Sequence, residues 1–141
     1  MAHHSTELDI AAPVADVFAV LADIGGWRDW DPSVRTTIAT TDGPPAVGST
    51  YEVTVGFYGK AIEQIHEIVE CDPPHRLVVS TSGRASGRWE FALAETDGGT
   101  HLQWDTTLQL KGMARLLDKG LDLALAGLVD NAVDGLGKRV R

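Results

Sequence analysis

Polar and apolar side chains alternate along much of the chain, which predicts β-strands with one buried and one solvent-facing side. In the segment after the Asp97-Gly98-Gly99 turn, Leu102, Trp104, Thr106, Leu108 and Leu110 share one side, and polar residues such as His101 stand between them. Alternation and β-branched runs predict six further strands, at 6–10, 34–40, 49–57, 60–71, 77–81 and 88–95.

The strand at 60–71 has two possible orientations. If Gln64 and His66 lie on the inner face, His66 points into the interior. The opposite phase buries Ile65 and Val69 and leaves His66 exposed. The pattern supports both orientations.

Two segments show helical spacing. Apolar residues recur at steps of three and four after Pro13, which predicts a helix that Gly25-Gly26 ends. The segment from 113 to about 136 is rich in Leu and Ala and has no proline, which predicts a second, long helix. Its predicted buried stripe is Leu117, Leu121, Ala124, Leu128 and Ala132.

The order of these elements predicts an α+β fold. A curved antiparallel sheet of about seven strands must cover its apolar face, and the terminal helix is the only element long enough to do so. Twenty-five helical residues reach about 37 Å. A sheet curled around one helix can leave a cavity, and a bound ligand needs one of roughly 300 Å³.

Residues 27–32, here called the tryptophan corner, connect the first helix to the second strand. A short turn of helix would place Trp27 and Trp30 on the same side. Two interpretations are open, because such residues either fill the core or form a gate at the mouth of a pocket. We expect Trp27 to be core and Trp30 to be a partly exposed gate.

Length and composition indicate one domain over residues 1–141, since 43% hydrophobic residues are enough for a core. His3-His4 makes residues 1–4 a candidate for a disordered or tag-derived N-terminus. No signal peptide and no membrane-spanning run is visible, so we expect a soluble, cytoplasmic protein. Monomer and homodimer both remain open.

Charge and motifs exclude several classes of function. A net charge of −8 argues against nucleic acid as a partner, because such binding depends on clustered Lys and Arg. Cys71 is the single cysteine, which excludes an internal disulfide and a cysteine-based zinc site. The chain has no nucleophile elbow, phosphate-binding glycine loop or His-Glu-x-x-His helix. We therefore predict no metal and no cofactor.

Four motifs follow one another at spacings that resemble one family. The proline-led helix runs into the tryptophan corner at 11–32, Gly-Ser-Thr stands at 48–50, EIVECDPPHRL at 67–77, and a Trp-to-Trp segment at 89–104. Together they resemble the START-like (SRPBCC, Bet v 1-like, helix-grip) superfamily, in particular its bacterial polyketide cyclase/dehydrase and lipid-transport group. The resemblance covers nearly the whole chain.

This resemblance implies a hydrophobic tunnel between the sheet and the C-terminal helix, which holds lipid- or polyketide-like ligands in different branches. The tryptophans Trp27 and Trp30 would lie at its mouth. The implied walls from the sheet are Val53, Val55, Phe57, Val79, Thr81, Trp89, Phe91, Trp104, Thr106 and Leu108, and those from the helix are Met113, Leu117, Leu121 and Leu125. The main prediction is a binding protein for a small hydrophobic ligand.

The alternative is an enzyme of the cyclase/dehydratase kind. It requires an acid or base inside the cavity, and His66 is the candidate base, with Tyr51 or Gln64 orienting a substrate carbonyl. Arg84 and Arg88, near the glycine-rich turn at 82–87, either meet an anionic ligand head or belong to a solvated hairpin, and we expect the hairpin. The arginine, aspartate and histidine set of an aromatic polyketide cyclase is not recognisable in the chain.

Overall fold

The computed structural model describes residues 2–57, 59–110 and 114–140, and the side chains of all of these except residues 57, 110 and 114–122. The chain forms seven strands, two α-helices and one 3₁₀ helix within this part. The elements are β1 (Ala2–Ile10), α1 (Val14–Ala22), the 3₁₀ helix (Ile24–Asp29), β2 (Val34–Ala39), β3 (Thr50–Phe57), β4 (Lys60–Asp72), β5 (Arg76–Gly83), β6 (Ala85–Thr96), β7 (Gly99–Leu110) and α2 (Ala114–Val140).

The strands form one antiparallel sheet in the order β1-β7-β6-β5-β4-β3-β2. This arrangement, with α2 on the inner face, is the predicted helix-grip α+β fold. The edge strand β1 is longer than the predicted strand at 6–10. It begins at Ala2, which pairs with Leu108 of β7, and ends at Ile10, which pairs with Thr100. Residues 2–4 are therefore part of β1.

The glycine-rich segment at 82–87 is mostly strand. β5 continues to Gly83, and β6 already begins at Ala85, which lies opposite Leu110 of β7. Each extension pairs with one neighbouring strand, Gly83 with Gln64 of β4 and Ala85 with Leu110 of β7, and this pairing gives backbone groups partners beyond the apolar cores of the strands. In the part of the chain that the structure describes, no helix is long and apolar enough to cross a bilayer.

The two α-helices bury one face each. In α1 the buried residues include Val14, Val17, Phe18 and Leu21, as the spacing predicts. In the described part of α2 the buried residues are Leu125, Val129, Ala132 and Leu136. Of the predicted α2 stripe, Ala132 is buried, Ala124 and Leu128 only border the buried face, and the side chains of Leu117 and Leu121 lie outside the described residues. The predicted and the observed buried residues of α2 belong to one broad apolar side of the helix. Packing against the sheet decides which of them are buried most deeply.

Candidate functional site

A small cavity lies between the inner face of the sheet, the middle of α2 and the tryptophan corner. Five residues of the predicted tunnel line it, namely Trp27, Val55, Trp89, Leu108 and Leu125. Sequence reasoning missed six other lining residues, namely Asp31, Ser33, Val34, Ile62, Ala85 and Leu128. Gln64 and His66, which the sequence offered as candidates for chemistry, complete the lining.

Other residues of the predicted tunnel lie elsewhere. Seven of them are buried but do not line this cavity, and they are Trp30, Val53, Val79, Thr81, Phe91, Trp104 and Thr106. The predictions for Met113 and for the side chains of Phe57, Leu117 and Leu121 fall outside the described residues.

The cavity is much smaller than expected. Its volume is about 30 Å³, which is space for one or two water molecules. The expectation of roughly 300 Å³ is wrong for the part of the interior that the structure describes. The physical reason is that large aromatic side chains fill the space between sheet and helix.

These aromatic side chains form one cluster. Trp27 lies 5.7 Å from Trp30 and 6.1 Å from Trp89 between ring centroids. The ring centroid of Trp104 lies 6.1 Å from that of Trp30 and 4.9 Å from that of Phe91, so Trp104 joins these two residues in the cluster. The rings meet edge to face or tilted, which is the favoured geometry for aromatic pairs. The cluster packs the tryptophan corner firmly against β6 and β7.

The gate interpretation of Trp30 is wrong for this structure. Trp30 is 4% exposed and Trp27 is 1% exposed, whereas a gate at the mouth requires a partly exposed side chain. The indole N–H of Trp27 donates to the Leu21 carbonyl at 2.8 Å. The indole nitrogen of Trp30 is buried without a hydrogen-bond partner. Both tryptophans are core residues, as the alternative interpretation predicts.

The structure decides the orientation of β4. Gln64 and His66 face inward and are 6% and 1% exposed, while Ile65 is half exposed on the outer face. In the sheet register Tyr51 of β3 and Thr81 of β5 lie on either side of His66. His66 therefore stands in the middle of the inner face, at the wall of the cavity.

Hydrogen bonds define the tautomer of His66. The side-chain amide of Gln64 donates through Nε2 to the Ala85 carbonyl at 3.0 Å, so its Oε1 is the atom that faces His66. Nε2 of His66 lies 3.1 Å from this oxygen. Because an amide oxygen can only accept, Nε2 of His66 carries the proton. Nδ1 of His66 then holds a lone pair, and it is buried with no hydrogen-bond partner.

Burial also controls the charge of His66. Desolvation lowers the pKa of this imidazole from 6.5 to about 4, because the apolar surroundings disfavour the cation. At neutral pH the ring is neutral, and Nδ1 is a buried hydrogen-bond acceptor without a partner. The hydroxyl of Thr81, on the neighbouring strand, is buried without a partner as well.

Asp31 is the second polar group of the cavity. It is 2% exposed, and its Oδ1 accepts hydrogen bonds from the backbone N–H and the hydroxyl of Ser33 at 2.9 and 2.7 Å. Burial raises the pKa of this carboxyl, and the two bonds from Ser33 act in the opposite direction. In the sequence Asp31 resembles an ordinary turn residue before Pro32. The only signal for its burial is its position directly after two buried tryptophans.

The two residues predicted to orient a substrate carbonyl have different surroundings. The Gln64 amide is fully engaged with Ala85 and His66, so it positions the imidazole rather than a substrate carbonyl. Tyr51 is buried but does not line the cavity, and desolvation raises the pKa of its hydroxyl.

Arg84 and Arg88, for which an anionic ligand head was the alternative to a solvated hairpin, do not line the cavity. Arg84 is exposed and is not among the lining residues. Arg88 is also exposed, and its Nε donates to Glu90 at 3.1 Å. Among the described residues no group of three or more His, Cys, Asp or Glu is arranged to hold a metal ion.

The whole chain matches one family model. The model describes polyketide cyclase / dehydrase and lipid transport proteins, and it matches residues 1–141. No curated protein sequence matches the chain.

Solved structures share the fold at low sequence identity. A START superfamily protein from Mycobacterium smegmatis has a TM-score of 0.86 and 14% identity, over 99% of this chain and 97% of that protein. The Zhui aromatase/cyclase from a Streptomyces species has a TM-score of 0.79 and 15% identity, over 98% and 92% of the two chains. The ginseng major latex-like protein 151 from Panax ginseng has a TM-score of 0.76 and 13% identity, over 99% and 97%.

Proposed function

Because the chain belongs to the polyketide cyclase/dehydrase and lipid transport family, we propose that it binds a small hydrophobic or amphipathic molecule between the sheet and α2. A lipid-like or polyketide-like ligand fits the apolar lining. The observation that carries this proposal is a largely apolar cavity beside the middle of α2 whose lining includes the buried imidazole of His66. The Nδ1 of this ring has no hydrogen-bond partner, and a ligand donor that reached it would remove the cost of burying it unpaired.

Binding of such a ligand requires the cavity to expand beyond about 30 Å³. The helix α2 contacts the sheet mainly along β1 and β7, at one edge. The cavity lies under its other side, where the lining includes Val55 of β3 and Ile62 of β4. A tilt of α2 about its contact with β1 would therefore enlarge the cavity without breaking the strand pairing.

Filling the cavity tests this proposal. Ala85 lines the cavity and is 2% exposed, so Ala85→Leu would occupy the space that a ligand needs. Ala94 lies on the same strand and is exposed, which makes Ala94→Leu the matched control. Native mass spectrometry of the purified protein would identify a co-purified ligand, and its apolar analogues would then be titrated against both variants.

The expected result is that Ala85→Leu loses at least about tenfold in affinity, since overpacking a filled cavity costs roughly 1–3 kcal/mol. The Ala94→Leu variant should bind like the wild type. Equal affinities in both variants would place the ligand outside the cavity. Failure of the wild type to bind any apolar probe would contradict the proposed function itself.

The second candidate function is a cyclase/dehydratase-type enzyme that uses the same cavity. His66 favours it, because this residue lines the cavity and its unprotonated Nδ1 could accept a substrate proton that reached it. A pKa of about 4 makes His66 a weak base at neutral pH, so binding remains the first proposal. To separate catalysis from binding, the wild type and His66→Gln would each be incubated with a poly-β-ketone thioester. Mass spectrometry would then compare the products. A product formed only by the wild type indicates catalysis.

A further inference from the structure

We propose that a groove on the outer face of the sheet is a docking surface for a basic amphipathic helix of a protein partner. This groove, here called the outer groove, is lined by residues of β2, β3, β4 and β5, including Ile38, Glu52, Glu63 and Ile65. Its volume is about 540 Å³, whereas the cavity on the inner face holds about 30 Å³. The inference is independent of ligand binding in that cavity.

The first observation is a group of exposed apolar side chains. In the part of the chain that the structure describes, five large apolar residues are more than a third exposed. Four of them lie on β2, on β4 or in the loop before β3, namely Ile38, Val47, Ile65 and Val69. The two that line the outer groove, Ile38 and Ile65, are 58% and 50% exposed. Single exposed apolar residues are ordinary, but a group on one side of a protein marks an interaction surface.

The second observation is the negative charge around these side chains. Ile38 of β2 pairs with Glu52 of β3, and Glu52 pairs with Ile65 of β4. On β4, Glu63 and Glu67 stand two residues before and after Ile65, so they share its side of the strand. All three glutamates are exposed, and none of them has an ion pair or a side-chain hydrogen bond among the described residues. Unpaired carboxylates therefore border the apolar side chains.

These charges determine the sign of the partner. A basic partner gains ion pairs with the glutamates, whereas nucleic acids and anionic membranes carry the same sign of charge as the outer groove. A second copy of this chain in a symmetric dimer would bring the glutamates of both faces together, which is unfavourable. The guanidinium group of Arg35 lies over Gly56 near the end of β3 and does not pair with these glutamates.

The direction of the outer groove determines the conformation of the partner. Its lining comes from four neighbouring strands, which span about 14 Å at the ordinary spacing. The backbone groups of β3 and β4 are paired within the sheet, so this face offers a partner only side chains. A segment that lies across the strands must therefore satisfy its own backbone groups, as a helix does. About ten helical residues cover this distance.

Two synthetic helical peptides test the inference on the full chain. Both carry the same leucine stripe, and their polar positions are Lys in one peptide and Glu in the other. Fluorescence anisotropy of the labelled peptides gives their affinities, and ¹H–¹⁵N NMR of the protein locates the contact. We expect the lysine peptide to bind at least about tenfold more tightly than the glutamate peptide, with the largest amide shifts in β2, β3 and β4.

A substitution at Ile65 tests the apolar contact. Ile65→Thr keeps a β-branched side chain on the strand and removes most of the apolar surface. Leu123→Gln is the matched control, because Leu123 is 78% exposed and is not among the residues that line the outer groove. We expect Ile65→Thr to weaken binding of the lysine peptide by about fivefold or more, and Leu123→Gln to leave the affinity unchanged.

Two double variants of equal net charge test the charged contact. Glu52→Gln with Glu63→Gln removes two charges from the outer groove, and Glu7→Gln with Glu95→Gln removes two exposed charges from β1 and β6. A difference between them can only arise from the position of the charges. We expect the first pair to weaken binding of the lysine peptide by about fivefold, and the second pair to have a much smaller effect.

Equal affinities of the two peptides, amide shifts away from β2, β3 and β4, or equal losses in the groove and control variants would overturn the inference. The lysine peptide would then follow only the net charge of the chain. Sedimentation of the free protein adds a further test, because a wild-type dimer that Ile65→Thr dissociates would assign this face to a second copy instead. If Ile65→Thr does not fold, the two double variants and the NMR map of the wild type decide the question.

Discussion

The backbone of Gly135 lies directly against the carbonyl group of Trp30. A Cβ atom at position 135 would overlap the Trp30 carbonyl oxygen. The helix α2 therefore approaches the tryptophan corner as closely as it does because residue 135 has no side chain. This contact holds the C-terminal half of α2 over the aromatic cluster.

Substitution of Gly135 should consequently displace α2. We expect Gly135→Ala to lower the free energy of unfolding by about 2–3 kcal/mol, as other overpacking substitutions do. Gly127 lies on the same helix, and a Cβ atom added there would meet no other atom within 4 Å, so Gly127→Ala is the control. That variant should be neutral or more stable by up to about 1 kcal/mol, because alanine favours helix. Urea unfolding of both variants measures the difference, and equal stabilities would contradict the close contact.

Trp30 should behave as a core residue. Trp30→Ala removes a ring that packs on Trp27 and Trp104, and we expect a loss of about 3–5 kcal/mol in unfolding free energy. Leu123→Ala is the control, since Leu123 is 78% exposed and should change stability by less than about 0.5 kcal/mol. Ligand affinity per folded molecule should stay the same in Trp30→Ala. A small stability loss with a large affinity loss would restore the gate interpretation.

The buried imidazole predicts a particular pH dependence of stability. Between the unfolded pKa of 6.5 and the folded pKa of about 4, the unfolded chain binds the proton of His66 and the folded chain does not. Stability should therefore fall as the pH is lowered from 6.5 to 4, by roughly 3 kcal/mol in total, and this contribution should be constant above 6.5.

The variant His66→Gln isolates this effect, because it lacks the titrating group and keeps Asp31. The raised pKa of Asp31 acts with the opposite sign, favouring the folded state as the pH falls, and is shared by both proteins. Urea unfolding at several pH values gives the two curves. Parallel curves for wild type and variant would show that His66 does not titrate with a lowered pKa.

Substitutions at Gln64 and His66 should have non-additive effects on the free energy of unfolding. Gln64→Leu leaves the Nε2 proton of His66 and the Ala85 carbonyl without partners, which should cost about 2–3 kcal/mol. The double variant Gln64→Leu, His66→Leu should recover part of that loss, because two apolar groups need no partner. Gln103→Leu removes an exposed hydrogen bond to Glu7 and should cost much less. Additive losses in the double-mutant cycle would contradict the coupling.

Much of the fold follows from local pattern. The alternation in β7 correctly places Leu102, Trp104 and Leu108 on the inner face, and the spacing in α1 correctly predicts its buried side. These predictions succeed because a residue's side of a strand or helix is a property of the backbone repeat.

The candidate site was only partly predictable. Trp27, Val55 and Leu125, which the family resemblance implies as tunnel residues, line the small cavity, but Asp31 was missed. An aspartate between a tryptophan and a proline has the pattern of an exposed turn, and nothing local to it signals that α2 and the sheet will enclose it.

The sequence by itself determined the order of strands and helices along the chain and the inner faces of the clearly alternating strands, because both depend on residues close together in the sequence. It also indicated the family, through motifs that follow one another along nearly the whole chain. The tertiary structure alone decided that His66 faces inward, that Trp30 is buried, that Leu125 and Val129 lie on the buried face in the described part of α2, and that the cavity holds only about 30 Å³. Each of these depends on how distant elements pack. Packing is set by the sum of many side-chain volumes, which no single segment contains.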